Sequence, residues 1–142
     1  MDKRIEALAS VVAELQTALN RADRAIANDL GLGSAEDLQV LRLLLADGPL
    51  RVGDIARRRA SSLATASARL DRLEKHRLLK RERTPEDRRA VVAQLTPGGQ
   101  RKATKSYSQR LAALAEVAEG FPIEQLRNLV EAIAINTVDP SS

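Results

Sequence analysis

The sequence predicts a mostly α-helical fold carrying one small β-hairpin. Three observations predict it. The composition is rich in Ala, Leu, Arg and Glu, all strong helix formers, with one Tyr, one Phe and no Trp in 142 residues. Apolar residues near both ends recur at heptad spacing. Between residues 78 and 96, two β-prone runs flank a turn-forming segment. A chain of this length suits one domain with a core of its own.

Taken in order, residues 2–27 contain no Gly or Pro, and Ile5, Leu8, Val12, Leu15, Leu19, Ala22 and Ile26 step by three and four. That is a narrow seam which wants another helix, from this chain or from a second copy. Asp29-Leu30-Gly31-Leu32-Gly33 breaks it. Ser34 then reads as an N-cap, with Glu36 and Asp37 in the first turn, where the helix dipole favours acids. The helix that follows is expected to bury Leu38, Leu41, Leu44 and Leu45, and to stop at Asp47-Gly48-Pro49. A short helix over 52–59 buries Val52, Ile55 and Ala56.

Another helix starts at Ser62, which can cap it, and runs to about His76. Leu63, Ala66, Leu70 and Leu73 share one face. The opposite face displays Ser61, Ala64, Thr65, Ala68, Arg72 and Lys75, with Ser67 and Arg69 at its edges. Small side chains followed by cations suit a helix entering the major groove of DNA. An ordinary amphipathic helix with a solvated outer face has the same pattern, and this segment alone does not separate the two.

The hairpin comprises residues 78–83 and 90–95 around Thr84-Pro85-Glu86-Asp87, with Arg88 and Arg89 at its tip and Arg83 on its first strand. Thr96-Pro97 is an N-cap followed by proline at the first helical position. A long helix then runs to Gly120, with Tyr107, Leu111, Leu114, Ala118 and Phe121 at heptad spacing. Pro122 opens a last helix, where Ile123, Leu126, Val130 and Ile133 continue the pattern. Residues 139–142 should fray. The helices at the two ends, 1–33 and 105–142, are expected to form an association region within a single domain of residues 1–142. Residues 34–100 form a separate compact lobe.

Charge is segregated along the chain. Residues 51–89 hold thirteen Arg and Lys against six Asp and Glu, a net of +7; with +4 overall, the rest carries −3. Basic charge gathered on the middle third points to a nucleic-acid footprint there. The absence of cysteine excludes disulfides, thiol redox sensing and thiolate metal sites, and one histidine makes a zinc site implausible. No cofactor or metal is expected. No nucleophile–histidine–acid set or glycine-rich phosphate loop exists, and Glu86-Asp87 stand among arginines, so no enzymatic activity is expected. No apolar run approaches a membrane span and the N-terminus leads into no signal-peptide core, so the expectation is a cytoplasmic protein without a membrane partner.

The order of parts resembles the MarR family of bacterial transcriptional regulators. Val52-Gly53-Asp54-Ile55-Ala56 resembles the start of the family's first motif helix. Ser62, Thr65 and Leu70-Asp71-Arg72-Leu73-Glu74 match its recognition helix. Pro85-Glu86-Asp87-Arg88-Arg89 followed by Leu95-Thr96-Pro97-Gly98-Gly99 is similar to its wing signature. The resemblance implies a winged helix-turn-helix with dimerisation helices at both ends, acting as a homodimer on double-stranded DNA. It implies Arg89 inserted into the minor groove with Asp87 holding its guanidinium in place, and a small-molecule effector of unidentified chemistry. Candidate DNA-binding residues are Ser61, Ser62, Ala64, Thr65, Ser67, Ala68, Arg69, Arg72, Lys75, Arg83, Asp87, Arg88 and Arg89. Candidate dimerisation residues are Ile5, Leu8, Val12, Leu15, Leu19, Leu111, Leu114, Leu126, Val130 and Ile133. The chain departs from the family pattern at Arg59, at Ala60-Ser61, at Ala68 and at Arg77, which stands where a glycine usually follows the recognition helix. Those departures keep open a largely non-specific, architectural DNA-binding role. A protein–protein adaptor working through the helical ends is a third reading.

Overall fold

A computed structural model describes residues 2–137. The chain divides into two compact units, Met1–Gln109 and Arg110–Ser142. The element order is α1 (Lys3–Asp29), α2 (Ala35–Asp47), β1 (Leu50–Arg51), α3 (Val52–Arg58), α4 (Leu63–Lys75), β2 (Leu79–Arg83), β3 (Val91–Leu95), α5 (Pro97–Ala118) and α6 (Ile123–Thr137).

Side-chain oxygens satisfy the first free N–H groups of several helices, as their sequences require. Asp2 accepts from Arg4 N at 2.8 Å, Ser34 from Asp37 N at 3.1 Å and Ser62 from Thr65 N at 3.0 Å. At α5, Thr96 Oγ1 accepts from Gly99 N at 3.1 Å and donates to the Arg77 carbonyl at 2.6 Å. The α5 cap therefore also ties off the loop leaving α4. Gly99 packs directly on that loop: a β-carbon there would lie 1.8 Å from the Leu78 carbonyl oxygen.

The hairpin is one part of a three-stranded antiparallel sheet ordered β1-β3-β2. Leu79 pairs with Leu95 and Arg83 with Val91, while Leu50 and Arg51 pair with Ala93 and Val92. The sequence predicted two strands; the third is two residues long, too short to show alternation. β2 and β3 each begin one residue later than expected, and the preceding Leu78 and Ala90 are buried.

The core of the first unit joins Ala27 of α1, Leu38, Leu41 and Leu44 of α2, Ile55 of α3, Leu70 and Leu73 of α4, Leu79 and Ala93 of the sheet, and Ala103 of α5. Leu45 and Val52, expected inside, are half-buried and pack against this cluster. One expectation fails outright. Leu63 does not share the buried face of Ala66, Leu70 and Leu73 but is 61% exposed. It is the first residue of its helix, and its side chain has no preceding turn to lie over.

Along α1 the seam faces outward: Ile5, Leu8, Leu15 and Leu19 are exposed and Val12 is half-buried, whereas the buried residues are Asp23 and Ala27. On α5 Tyr107 is exposed. In the second unit Leu111, Leu114, Phe121, Ile123, Leu126, Val130 and Ile133 are all exposed. The expected fraying at 139–142 lies outside the described residues. Among the described residues no helix is long and apolar enough to cross a membrane.

Candidate nucleic-acid interface

α3 and α4 are joined by a tight turn in which Ala60 adopts a left-handed conformation, φ 50°. After α4 the chain turns at Arg77, φ 61°. Both are positions where glycine would be free of strain. The two non-glycine residues with positive φ among the described residues therefore bracket α4.

Between those brackets α4 is clamped on two sides. Arg72 Nη2 donates to Asp37 Oδ1 at 2.8 Å, and Asp37 is buried at the start of α2. The hydrogen bond to that carboxylate raises the Arg72 pKa from its ordinary value, so its charge is fixed. On another side Arg81 of β2 reaches back to the helix. Its Nη2 lies 2.8 Å from Glu74 Oε2 and 2.5 Å from Asp71 Oδ1, and its backbone N–H donates to Glu74 Oε1 at 3.1 Å. These bonds hold the Glu74 carboxyl below its ordinary value, the side-chain bonds from Arg81 contributing most and its backbone N–H next. The same partners raise Arg81. Sheet and helix are thus joined by charge-assisted hydrogen bonds, about twice as strong as neutral ones.

Arg59, a departure from the expected apolar residue, has a defined place. Half-buried at the C-terminal end of α3, it donates through Nη2 to Gln39 Oε1. Gln39 Nε2 donates to Asp23 Oδ2 at 3.1 Å, and Arg42 Nη1 meets Asp23 Oδ1 at 2.6 Å. Arg42 Nε in turn donates to Ser106 Oγ of α5 at 3.2 Å. A part-buried polar chain therefore runs from α1 and α5, through α2, to the turn that starts α4. The sequence reading missed it, because Asp23 and Ser106 carry no motif. A carboxylate on the inner side of a heptad-like helix was the available signal.

At the hairpin tip, Thr84 Oγ1 accepts from Asp87 N at 3.1 Å and donates to Asp87 O at 2.7 Å, while Arg83 Nη1 donates to Arg88 O at 2.9 Å. Asp87 Oδ1 accepts from the backbone N–H of Arg89 at 2.9 Å. The expectation that Asp87 holds the Arg89 guanidinium is therefore corrected. A carboxylate two residues earlier closes more easily on the backbone N–H, as aspartates in turns do. Asp87 shapes the loop through this bond.

Of the other candidates, Ser62, Ala64, Thr65, Ala68, Lys75, Arg88 and Arg89 are exposed, and Ser67 and Arg69 are half-buried. Ser61 is half-buried, with its hydroxyl oxygen shut from solvent. Ser62 Oγ donates to Thr65 Oγ1 at 2.8 Å. Among the described residues Arg69, Lys75, Arg88 and Arg89 have no carboxylate partner, whereas Arg57, Arg58, Arg72 and Arg81 have one.

A helix-turn-helix followed by a hairpin with free arginines at its tip defines a winged helix-turn-helix protein. Residues 34–91 match the model of the MarR family. The uncharacterized HTH-type transcriptional regulator YfiV of Bacillus subtilis is 35% identical over 102 residues, 72% of this chain and 64% of that protein. The match thus spans less than two thirds of this relative's own length. AbsC, a MarR family transcriptional regulator from Streptomyces coelicolor, has the same fold, with a TM-score of 0.77 at 22% identity over 94% of this chain and 91% of its own. A MepR variant from S. aureus, bound to an oligodeoxyribonucleotide, gives a TM-score of 0.64 at 18% identity, covering 89% of this chain and 93% of its own. Residues 34–91 thus match the MarR family model, and the fold is shared with regulators of that family.

Proposed function

We propose that the protein is a homodimeric, sequence-specific DNA-binding transcriptional regulator that represses nearby genes. Each protomer places α4 in the major groove and the 84–90 loop in the minor groove of one half of an inverted repeat. The observation that carries this reading is the pairing pattern of the cations. Arg72 and Arg81 are paired with Asp37, Asp71 and Glu74, while Arg69, Lys75, Arg88 and Arg89 on α4 and the hairpin tip have no carboxylate partner among the described residues and are left for phosphates and grooves. The oligodeoxyribonucleotide bound to the MepR variant supports the same reading.

A second copy is the proposed cover for the exposed seam of α1 and for that of residues 110–137, since heptad spacing suits helix-to-helix packing. In this proposal residues 1–142 act as one domain, with 1–33 and 105–142 supplying the dimer contacts. A small-molecule effector that relieves repression completes it.

Selection of bound DNA from a random pool, with light scattering on the complex, tests the proposal. Enrichment of an inverted repeat bound by two protomers is the expected result. Enrichment of no sequence, with a steep loss of binding in salt, would favour the architectural role.

A further inference from the structure

The polar chain from Arg59 to Ser106 turns on the side-chain amide of Gln39. A guanidinium only donates and an ionised carboxylate only accepts. The amide therefore has one orientation available, with Oε1 towards Arg59 and Nε2 towards Asp23, 3.1 Å away. Buried Asp23 also accepts from Arg42 Nη1 at 2.6 Å, and Arg42 Nε donates to Ser106 Oγ at 3.2 Å. The Ser106 hydroxyl gives its own proton to the Ala103 carbonyl at 2.9 Å. Every bond has a fixed direction, so the group at position 23 decides which atom Gln39 can offer to Arg59.

Stability alone does not account for such a chain. Aliphatic side chains of similar volume often hold helices together as well as a buried ionic network does. Arg42 Nη2, moreover, is buried without a hydrogen-bond partner among the described residues. What directional bonds add is register. Arg59 is the C-cap of α3 and is followed by left-handed Ala60 and then by Ser62, the N-cap of α4. Further along, Arg72 ties α4 to Asp37 of α2, and Arg81 ties it to β2. Arg59 thus holds the turn from which α4 starts, and the chain through Gln39 anchors Arg59 to α1 and α5.

We propose that Arg59 and Gln39 are positioning residues for DNA recognition, transmitting the placement of α1 and α5 to the start of α4. They act through α4 and need no contact with DNA. This rests on the major-groove docking of α4 proposed above.

The experiment exchanges the two groups at the centre of the chain. Gln39→Glu keeps an acceptor for Arg59 but sets two carboxylates together at Asp23. Asp23→Asn sets two N–H donors together at one of its bonds. Combining Asp23→Asn with Gln39→Glu lets amide and carboxylate meet again, in reversed order and at unchanged net charge. Fluorescence anisotropy gives the ratio of affinities for the selected inverted repeat and for a random duplex, which cancels the general effect of net charge. Each single variant should lower that ratio roughly fivefold, and the double variant should return it to near the wild-type value. A circular-dichroism melt of each protein confirms folding. Where a single variant fails to fold, Arg59→Met and Ser106→Ala take its place: Ser106→Ala should lower the ratio in the wild type and leave it unchanged beside Arg59→Met. Unchanged ratios in the single variants, losses that simply add in the double variant, or an equal effect of Ser106→Ala in both backgrounds would overturn the relay while the regulator reading stands. If the wild type selects no DNA sequence at all, the docking reading falls and the relay with it.

Discussion

Arg81 Nη2 lies 2.8 Å from Glu74 Oε2, so the strand leading into the hairpin tip is braced against the last turn of α4. The two elements proposed to enter adjacent grooves are therefore tied directly to each other. Replacing Arg81 by Met, which keeps the aliphatic stem, should loosen the hairpin relative to α4 and weaken operator binding about tenfold, a loss of about 1–3 kcal/mol at a charged hydrogen bond. Binding to a random duplex should change much less. Fluorescence anisotropy on both duplexes is the measurement, and equal losses on the two would refute the bracing role.

The same contact carries a pH dependence. Glu74 is depressed in the folded protein, so its contribution is complete above the unfolded value and is lost as pH falls through the folded one. The brace should hold at neutral pH and weaken only once the pH drops below the ordinary glutamate value of 4.5. Glu74→Gln removes this contribution, so acid unfolding curves of variant and wild type should converge at low pH and separate above it.

Arg72→Met leaves the Asp37 carboxylate buried without its cation. The pair is half-exposed on the arginine side, so the expected loss is about 1.5–3 kcal/mol, below that for a fully buried pair. Urea unfolding would report it. No change in midpoint would mean that water replaces the guanidinium without cost.

Ala60→Gly and Arg77→Gly should each stabilise the lobe. A left-handed non-glycine residue costs about 1–2 kcal/mol, and glycine's extra freedom in the unfolded chain returns part of this, leaving a net gain of roughly 0.5 kcal/mol. Gly99→Ala has the opposite sign: its β-carbon would overlap the Leu78 carbonyl, and soluble expression should fall sharply. Thermal melts compare all three.

At the tip, Arg89→Ala and Asp87→Ala should fail differently. Arg89→Ala removes a side chain proposed to enter the minor groove, costing about ten- to a hundredfold in operator affinity. Asp87→Ala frees the Arg89 backbone N–H and should reduce affinity through a disordered loop, with a smaller effect. Asp87→Asn retains an acceptor for that N–H and should restore most of the loss. Failure of the asparagine to do so would show that the carboxylate's charge, not its geometry, matters.

Much of this architecture was legible in the residues. Ser34, Ser62 and Thr96 announce helix starts because a short side-chain oxygen at that point has one profitable use, and the interruption around Thr84-Pro85 is local chemistry. The two-residue β1 was illegible because its pairing with Ala93 and Val92 is long-range and leaves no period. Leu63 was misread because a helical wheel ignores where the helix begins. For Asp87 the resemblance implied a bond to the Arg89 guanidinium, and the sequence carried no local signal for the bond to the Arg89 backbone N–H that the structure shows. The partner of Arg59 was hidden because Gln39 and Asp23 come from two other helices.

That last contact chain has a consequence for ionic conditions. Arg57–Asp54 and Lys80–Glu82 are exposed and will be weakened by added salt, as will any hold on phosphates. The run from Arg59 through Gln39 and Asp23 to Arg42 is shielded and depends on direction rather than on long-range attraction. Salt should therefore strip the protein from its duplex long before it alters the tilt of α4, and the protein released in brine should be ready to rebind on dilution.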